Sequence, residues 1–170
     1  MKNDHLEKKK EISQALIAMR LKIFTAAVAV IGGIFFVACA VCLVRSTHFE
    51  EICGIPRESA LILLAVTAVL CYAGLWQFTK VCREIGRENS FSVENTIAFR
   101  MIGTIFLVLS AVWIVFIAVC LILFEKISVF TIFVLSGMTF IWLSVAALSG
   151  TLATLIDKAR QIREENDYTI

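Results

Sequence analysis

Six cysteines and two histidines are the residues of this chain best able to hold a metal or carry redox chemistry. Cys39 and Cys42 form a C-x-x-C, a spacing that on a helix turns both sulfurs toward nearly the same side. Such a pair works at a helix start beside a strand, or as half of a metal site completed by a second ligand pair. Here it lies inside an apolar run, with no His or carboxylate in that run. A soft-metal site is the minor alternative. The expected role is packing, as for Cys71 and Cys120, because buried Cys behaves as a small hydrophobe. Cys53 sits in a short polar connection without a second thiol, so no disulfide framework follows. His5 and His48 lie far apart in the chain, the first in a charged tail and the second in that connection. There is no Gly-rich phosphate loop, His–carboxylate cluster or nucleophile elbow. The chain is therefore not expected to be an enzyme, and no catalytic, cofactor or metal-binding residue is assigned.

The elements that would position these residues are set by an excess of apolar side chains. Of 170 residues, 59% are hydrophobic and 18% charged, with a mean hydropathy of +0.87. Soluble domains have roughly 45–50% apolar and about 25% charged residues, so lipid is the expected solvent. Four uncharged runs occur at about 23–44, 60–79, 101–124 and 128–154. Each matches the roughly 20 residues needed to cross hydrocarbon. In lipid each segment must satisfy its own backbone, which selects helices, whereas a barrel would show alternating segments of about ten residues. The expected fold is all-α: a polytopic membrane protein whose four transmembrane helices form an antiparallel bundle, with residues 1–170 as one membrane domain. A cleaved signal peptide fits poorly, since its apolar run would span about 7–15 residues rather than reach Val44.

Charge gives the orientation. Thirteen of the 16 Lys and Arg fall in the N-tail 1–22, the middle loop 80–100 and the C-tail 157–170, and three in the other two connections. Positive charge marks the cytoplasmic side, so both termini and the middle loop are expected there. The outer connections, Arg45–Ser59 and Glu125–Lys126, are too short for an external binding domain. In the N-tail, Asp4 and Glu7 are placed to cap a helix, and Ile12, Leu16, Met19 and Ile23 form an apolar stripe. Either an amphipathic helix on the inner membrane face or a solvated charged tail fits. Asp4, Glu7 and Glu11 dilute the basic run, which argues against direct nucleic-acid binding. Pro56 marks a helix start in the outer connection. The run Gly86–Ser90 reads as a turn, and Ser92 and Glu94 suit the start of the next helix. Val93, Ile97 and Met101 continue an apolar face, and the C-tail keeps helical spacing with Ala159 and Ile162. These three pieces are expected to pack together as a cap or to dock a soluble partner.

The spans carry no Asp, Glu, Lys, Arg, His or Pro. Ion pathways use intramembrane charge and substrate sites use broken helices, so coupled transport is disfavoured, while a passive oligomeric pore stays open. Gln77 with Trp76 reads as an interfacial anchor, and Asp157 is expected to pair with a basic neighbour. Ala146, Gly150 and Thr154, like Ala29 and Gly33, recur every four residues and allow close helix approach. Packing within one bundle is favoured over a homo-oligomer face. Trp113 and Trp142 are expected inside, with Ser110, Ser136, Thr139 and Ser144 as hydrogen-bond partners for their indoles.

Two segments carry a resemblance. Gly86-Arg87-Glu88-Asn89-Ser90-Phe91-Ser92-Val93-Glu94-Asn95, followed by Phe99-Arg100-Met101-Ile102-Gly103, is similar to the approach to the third helix in a bacterial group of small four-helix membrane proteins, domain of unknown function 2975. Glu165-Asn166-Asp167-Tyr168-Thr169-Ile170 resembles that group's closing E-x-D-L-T-I, with Tyr168 where Leu is usual. The layout matches from the first span to the last residue. The resemblance implies a multi-pass protein of the bacterial cell membrane and brings no catalytic residues or cofactors. It also implies a gene neighbourhood shared with a small Cro-like helix-turn-helix regulator. The expected function is a regulatory or sensor-like partner of such a cytoplasmic DNA-binding regulator. Its interaction motif would comprise Arg83, Phe91, Glu94, Asn95 and Arg100 with Glu165, Asp167, Thr169 and Ile170. The alternative is a membrane-stress or peptide-immunity protein acting within the bilayer.

Overall fold

The computed structural model describes residues 2–85, 92–124 and 127–167. These form five helices: α1 (Lys2–Arg45), α2 (Phe49–Cys53), α3 (Arg57–Ile85), α4 (Val93–Leu123) and α5 (Val129–Asp167), with no strand among the described residues. All but α2 are long and apolar enough to cross a membrane, and each contains one of the uncharged runs. Local chemistry sets the ends. Ser92 accepts a hydrogen bond from Asn95 N–H at 3.2 Å, the expected N-cap of α4. Gly54 stops α2 in the left-handed region (φ 73°), where glycine carries no Cβ penalty. Pro56 directly precedes α3, and its carbonyl accepts from Ala60 N–H at 3.3 Å.

Helix α1 runs for 44 residues without a break near residue 22. The N-tail, which read as a separate surface helix or a solvated tail, is instead continuous with the first apolar run. Neither Pro nor Gly occurs between Lys2 and Ile31, so nothing interrupts the backbone ladder there.

The long helices pack in chain order, α1 on α3, α3 on α4 and α4 on α5, with no comparable α1–α4 or α1–α5 packing among the described residues. Helix α4 holds a large share of the core, with Leu109 fully buried and Ser110, Ile102 and Cys120 also buried. Small residues set the seams. A Cβ on Gly103 would lie 3.3 Å from the carbonyl oxygen of Ala146 and 3.5 Å from the amide nitrogen of Gly150, so this glycine admits the α5 backbone. Gly74 similarly receives the Phe106 ring. The Ala146–Gly150 repeat thus serves packing inside the molecule.

On α1, the repeat receives Tyr72, whose hydroxyl donates to Ala29 O at 2.7 Å and would lie 2.7 Å from a Cβ on Gly33. Hydrogen bonds between membrane helices contribute about 0.6 kcal/mol on average. Tyr72→Phe is expected to lower stability by that amount in detergent, read as a small fall in the thermal unfolding midpoint. An unchanged midpoint would show that the bond carries no net stability.

The indoles differ from the sequence expectation. Trp113 Nε1–H donates to Thr67 Oγ1 at 3.0 Å, across the α3–α4 seam. Ser110, Thr139 and Ser144 each donate to a carbonyl of their own helix, as Thr67 does to Leu63 O, but only Thr67 also accepts from the Trp113 indole, and Ser136 is exposed. Trp142 Nε1 is buried with no partner among the described residues. Its ring stacks on Phe106 at 5.8 Å and meets Trp113 edge-on at 6.4 Å.

Candidate functional site

The contacts Thr25–Cys82 (3.7 Å), Gly74–Phe106 and Gly103–Gly150 order the helix ends. They place the N-terminal half of α1, the end of α3, the start of α4 and the end of α5 at one end of the molecule. Most of the basic residues whose side chains are described lie there, including Lys22, Arg83, Arg100 and Arg160. Two small polar constructions organise it. At the start of α4, Ser92 caps the helix, its carbonyl accepts from Thr96 Oγ1 at 3.4 Å, and Asn95 is buried at 1% exposure. At the end of α5, Arg160 bonds Asp157 at 3.2 Å and Glu164 at 3.0 Å. Asp157 thus has the basic neighbour expected of it. Its spacing of three and four from its partners was visible in the chain, but Arg160 had not been singled out for this end of the molecule. Such partly exposed pairs contribute about 0.3–0.5 kcal/mol each and chiefly fix side-chain direction.

The residues expected to form an interaction motif are distributed unevenly. Arg83, Glu94, Arg100 and Glu165 are exposed. Asn95 is buried and presents almost no surface. Asp167 ends α5, while Phe91, Thr169 and Ile170 lie outside the described residues. The apolar stripes do not cover one another. Leu16, Met19, Val93, Ile97, Met101 and Ile162 are all exposed, against the expectation of a cap in which these pieces pack together. The reason is geometric: the inward face of α4 is Asn95, Thr96, Ala98 and Ile102, which turns Val93, Ile97 and Met101 away.

The anchor pair also divides. Trp76 is exposed, as an interfacial indole would be, whereas Gln77 is half-buried and its Oε1 has no hydrogen-bond partner among the described residues. All six cysteines are free thiols, with Cys42 exposed and Cys39 half-buried on α1.

At the other end, a compact turn closes the molecule. Arg57 donates to Ser46 O at 2.7 Å, His48 pairs with Glu51 at 2.9 Å, and Cys53 O accepts from Thr131 Oγ1 at 3.0 Å and Ser128 N–H at 3.4 Å. Beneath it lies an apolar pocket of about 220 Å³ lined by Phe49, Ile55, Trp113 and Phe130 among others.

No curated protein and no solved structure matches the chain. A family model does, over residues 7–170, nearly its whole length. The capped α4 start, the four long apolar helices and the charged end of α5 therefore lie within one shared pattern, and the chain belongs to the family described as protein of unknown function (DUF2975).

Proposed function

We propose that this is a multi-pass protein of the bacterial cell membrane whose four long helices cross the bilayer antiparallel, with both termini cytoplasmic. Its cytoplasmic end binds a soluble helix-turn-helix regulator, and its role is binding, not catalysis. The observation that carries this reading is the set of apolar side chains left exposed within the charged helix ends: Leu16, Met19, Val93, Ile97 and Ile162. These lie beyond the uncharged runs 23–44, 101–124 and 128–154, interspersed with charged residues. Apolar positions ringed by charge are the usual anatomy of a protein-binding patch. The excess of Lys and Arg supports a cytoplasmic location for this end.

The test is co-purification of the regulator encoded beside the gene with the full chain in detergent. The natural sequence is expected to retain it, and Ile97→Glu combined with Ile162→Glu to lose it. A complex unaffected by that pair, or no complex at all, rejects the reading. A second reading, membrane-stress or peptide immunity, is favoured by the anchored turn over the outer apolar pocket. It expects changes in residues 45–59 to reduce survival under peptide challenge, and changes at Ile97 and Ile162 to leave survival unaltered.

A further inference from the structure

Between the Tyr72–Ala29 bond and the Thr25–Cys82 contact, helices α1 and α3 leave a groove of about 280 Å³ that reaches Lys22. Its walls are Ala26 and Ala29 on α1 and Leu75, Trp76 and Thr79 on α3. The groove shares Ala29, Tyr72 and Leu75 with a deeper cleft of about 380 Å³, bordered by α1, α3, α4 and α5. That cleft exists because α1 packs on α3 alone and stands away from α4 and α5.

The polarity of this space is graded. Its deep part is lined by side chains such as Phe36, Phe78 and Phe106. Lys22 and Thr79 also line the groove, although the Thr79 hydroxyl already donates to Trp76 O at 2.7 Å. Arg83 lies one turn beyond Thr79 on the same side of α3, exposed, with Glu84 beside it. Lys22 immediately precedes the uncharged run 23–44, and Arg83 closely follows the run 60–79. Both cations therefore sit at the depth where lipid headgroups begin, provided the long helices cross the bilayer as proposed above. An exposed tryptophan at that depth, Trp76, is the usual interfacial side chain.

From this juxtaposition, we propose that the α1–α3 groove is a binding site for one anionic phospholipid. Its phosphate sits between Lys22 and Arg83, and one acyl chain runs past Tyr72 into the four-helix cleft. Charge complementarity selects the headgroup, and the concave apolar wall accepts the chain. A zwitterionic lipid would match the wall but not the two cations.

The experiment uses the full chain purified in detergent, titrated with phosphatidylglycerol or with phosphatidylcholine of the same acyl composition, and reads the thermal unfolding midpoint. Phosphatidylglycerol is expected to raise the midpoint more than phosphatidylcholine. Lys22→Gln with Arg83→Gln should weaken its apparent affinity roughly thirtyfold, from about 1 kcal/mol per basic residue near the surface. Lys158→Gln with Arg163→Gln, equal in charge but on α5, should leave the preference intact. Ala26→Phe should abolish stabilisation by both lipids, and because Ala26 is exposed, the ring displaces only the occupant. Free glycerol phosphate should have no effect. Equal response to the two lipids, equal loss in the α5 pair, or lipid stabilisation surviving Ala26→Phe each overturns the site. Membrane retention at alkaline pH separates the two levels: a chain that washes off overturns the membrane-crossing reading, whereas a retained chain without lipid preference overturns the lipid site alone.

Discussion

Gly103→Leu is expected to force α4 and α5 apart and to lower stability by about 1–3 kcal/mol, the usual range for overpacking. Even a single Cβ at this position would stand 3.3 Å from Ala146 O, 3.5 Å from Gly150 N and 3.7 Å from Ser149 Cβ. The nearest two are backbone atoms of a long helix, which cannot rotate aside as a side-chain tip can. Alanine should therefore cost little and leucine much more, because the added carbons have only the α5 backbone to displace. Gly137→Leu is the matched control, since a Cβ there meets nothing within 4 Å. Thermal unfolding in detergent, followed by helicity, reads both. Equal midpoints for the two leucine variants would show that the α4–α5 seam does not depend on this close approach.

Leu109→Ala is expected to cost about 2 kcal/mol, at the low end of what large-to-small core changes cost in water-soluble proteins. Leu109 has no exposed surface and sits at the centre of the helix row. Lipid tails are as apolar as leucine, so the transfer component of burial fades and the lost packing contacts remain. Leu121→Ala, on the same helix but exposed at 56%, should stay within about 0.5 kcal/mol of the natural sequence. If both alanines cost the same, burial within the protein is not what holds α4 in place.

The positions of the four long helices were legible because charge is absent from each run and returns at its ends. The α4 start was equally plain, since Ser92 followed by Glu94 has a local chemical meaning that tertiary structure need not supply. What could not be read was rotation about each helix axis. In a helix apolar all round, the face toward protein and the face toward lipid have the same hydropathy, so periodicity cannot separate Leu109 from Leu121. The partner of Trp113 was missed for this reason. Ser110, Thr139 and Ser144 fitted the spacing, but it is Thr67 that reaches the indole, from α3 across the seam. The stripe Val93, Ile97 and Met101 was recognised as apolar, but spacing could not tell packing from exposure, because the inward side of α4 there is polar and small. Of the interaction motif, charge pattern identified the exposed members and could not reveal that Asn95 is enclosed.

Helix α1 has one further mechanical property. Its unbroken 44 residues make a rod of about 66 Å, of which residues 2–22 account for roughly 30 Å beyond the apolar run. A rod held along one seam acts as a lever arm. Bilayer thickness sets the tilt of a long apolar helix at a cost of only fractions of a kcal/mol per Å of mismatch. A tilt of about 10° at the apolar half therefore carries the far tip of the tail sideways by about 5 Å, by the length of the rod alone. With α1 crossing the bilayer as proposed, membrane thinning or thickening would displace the tail on the side where the charged helix ends gather.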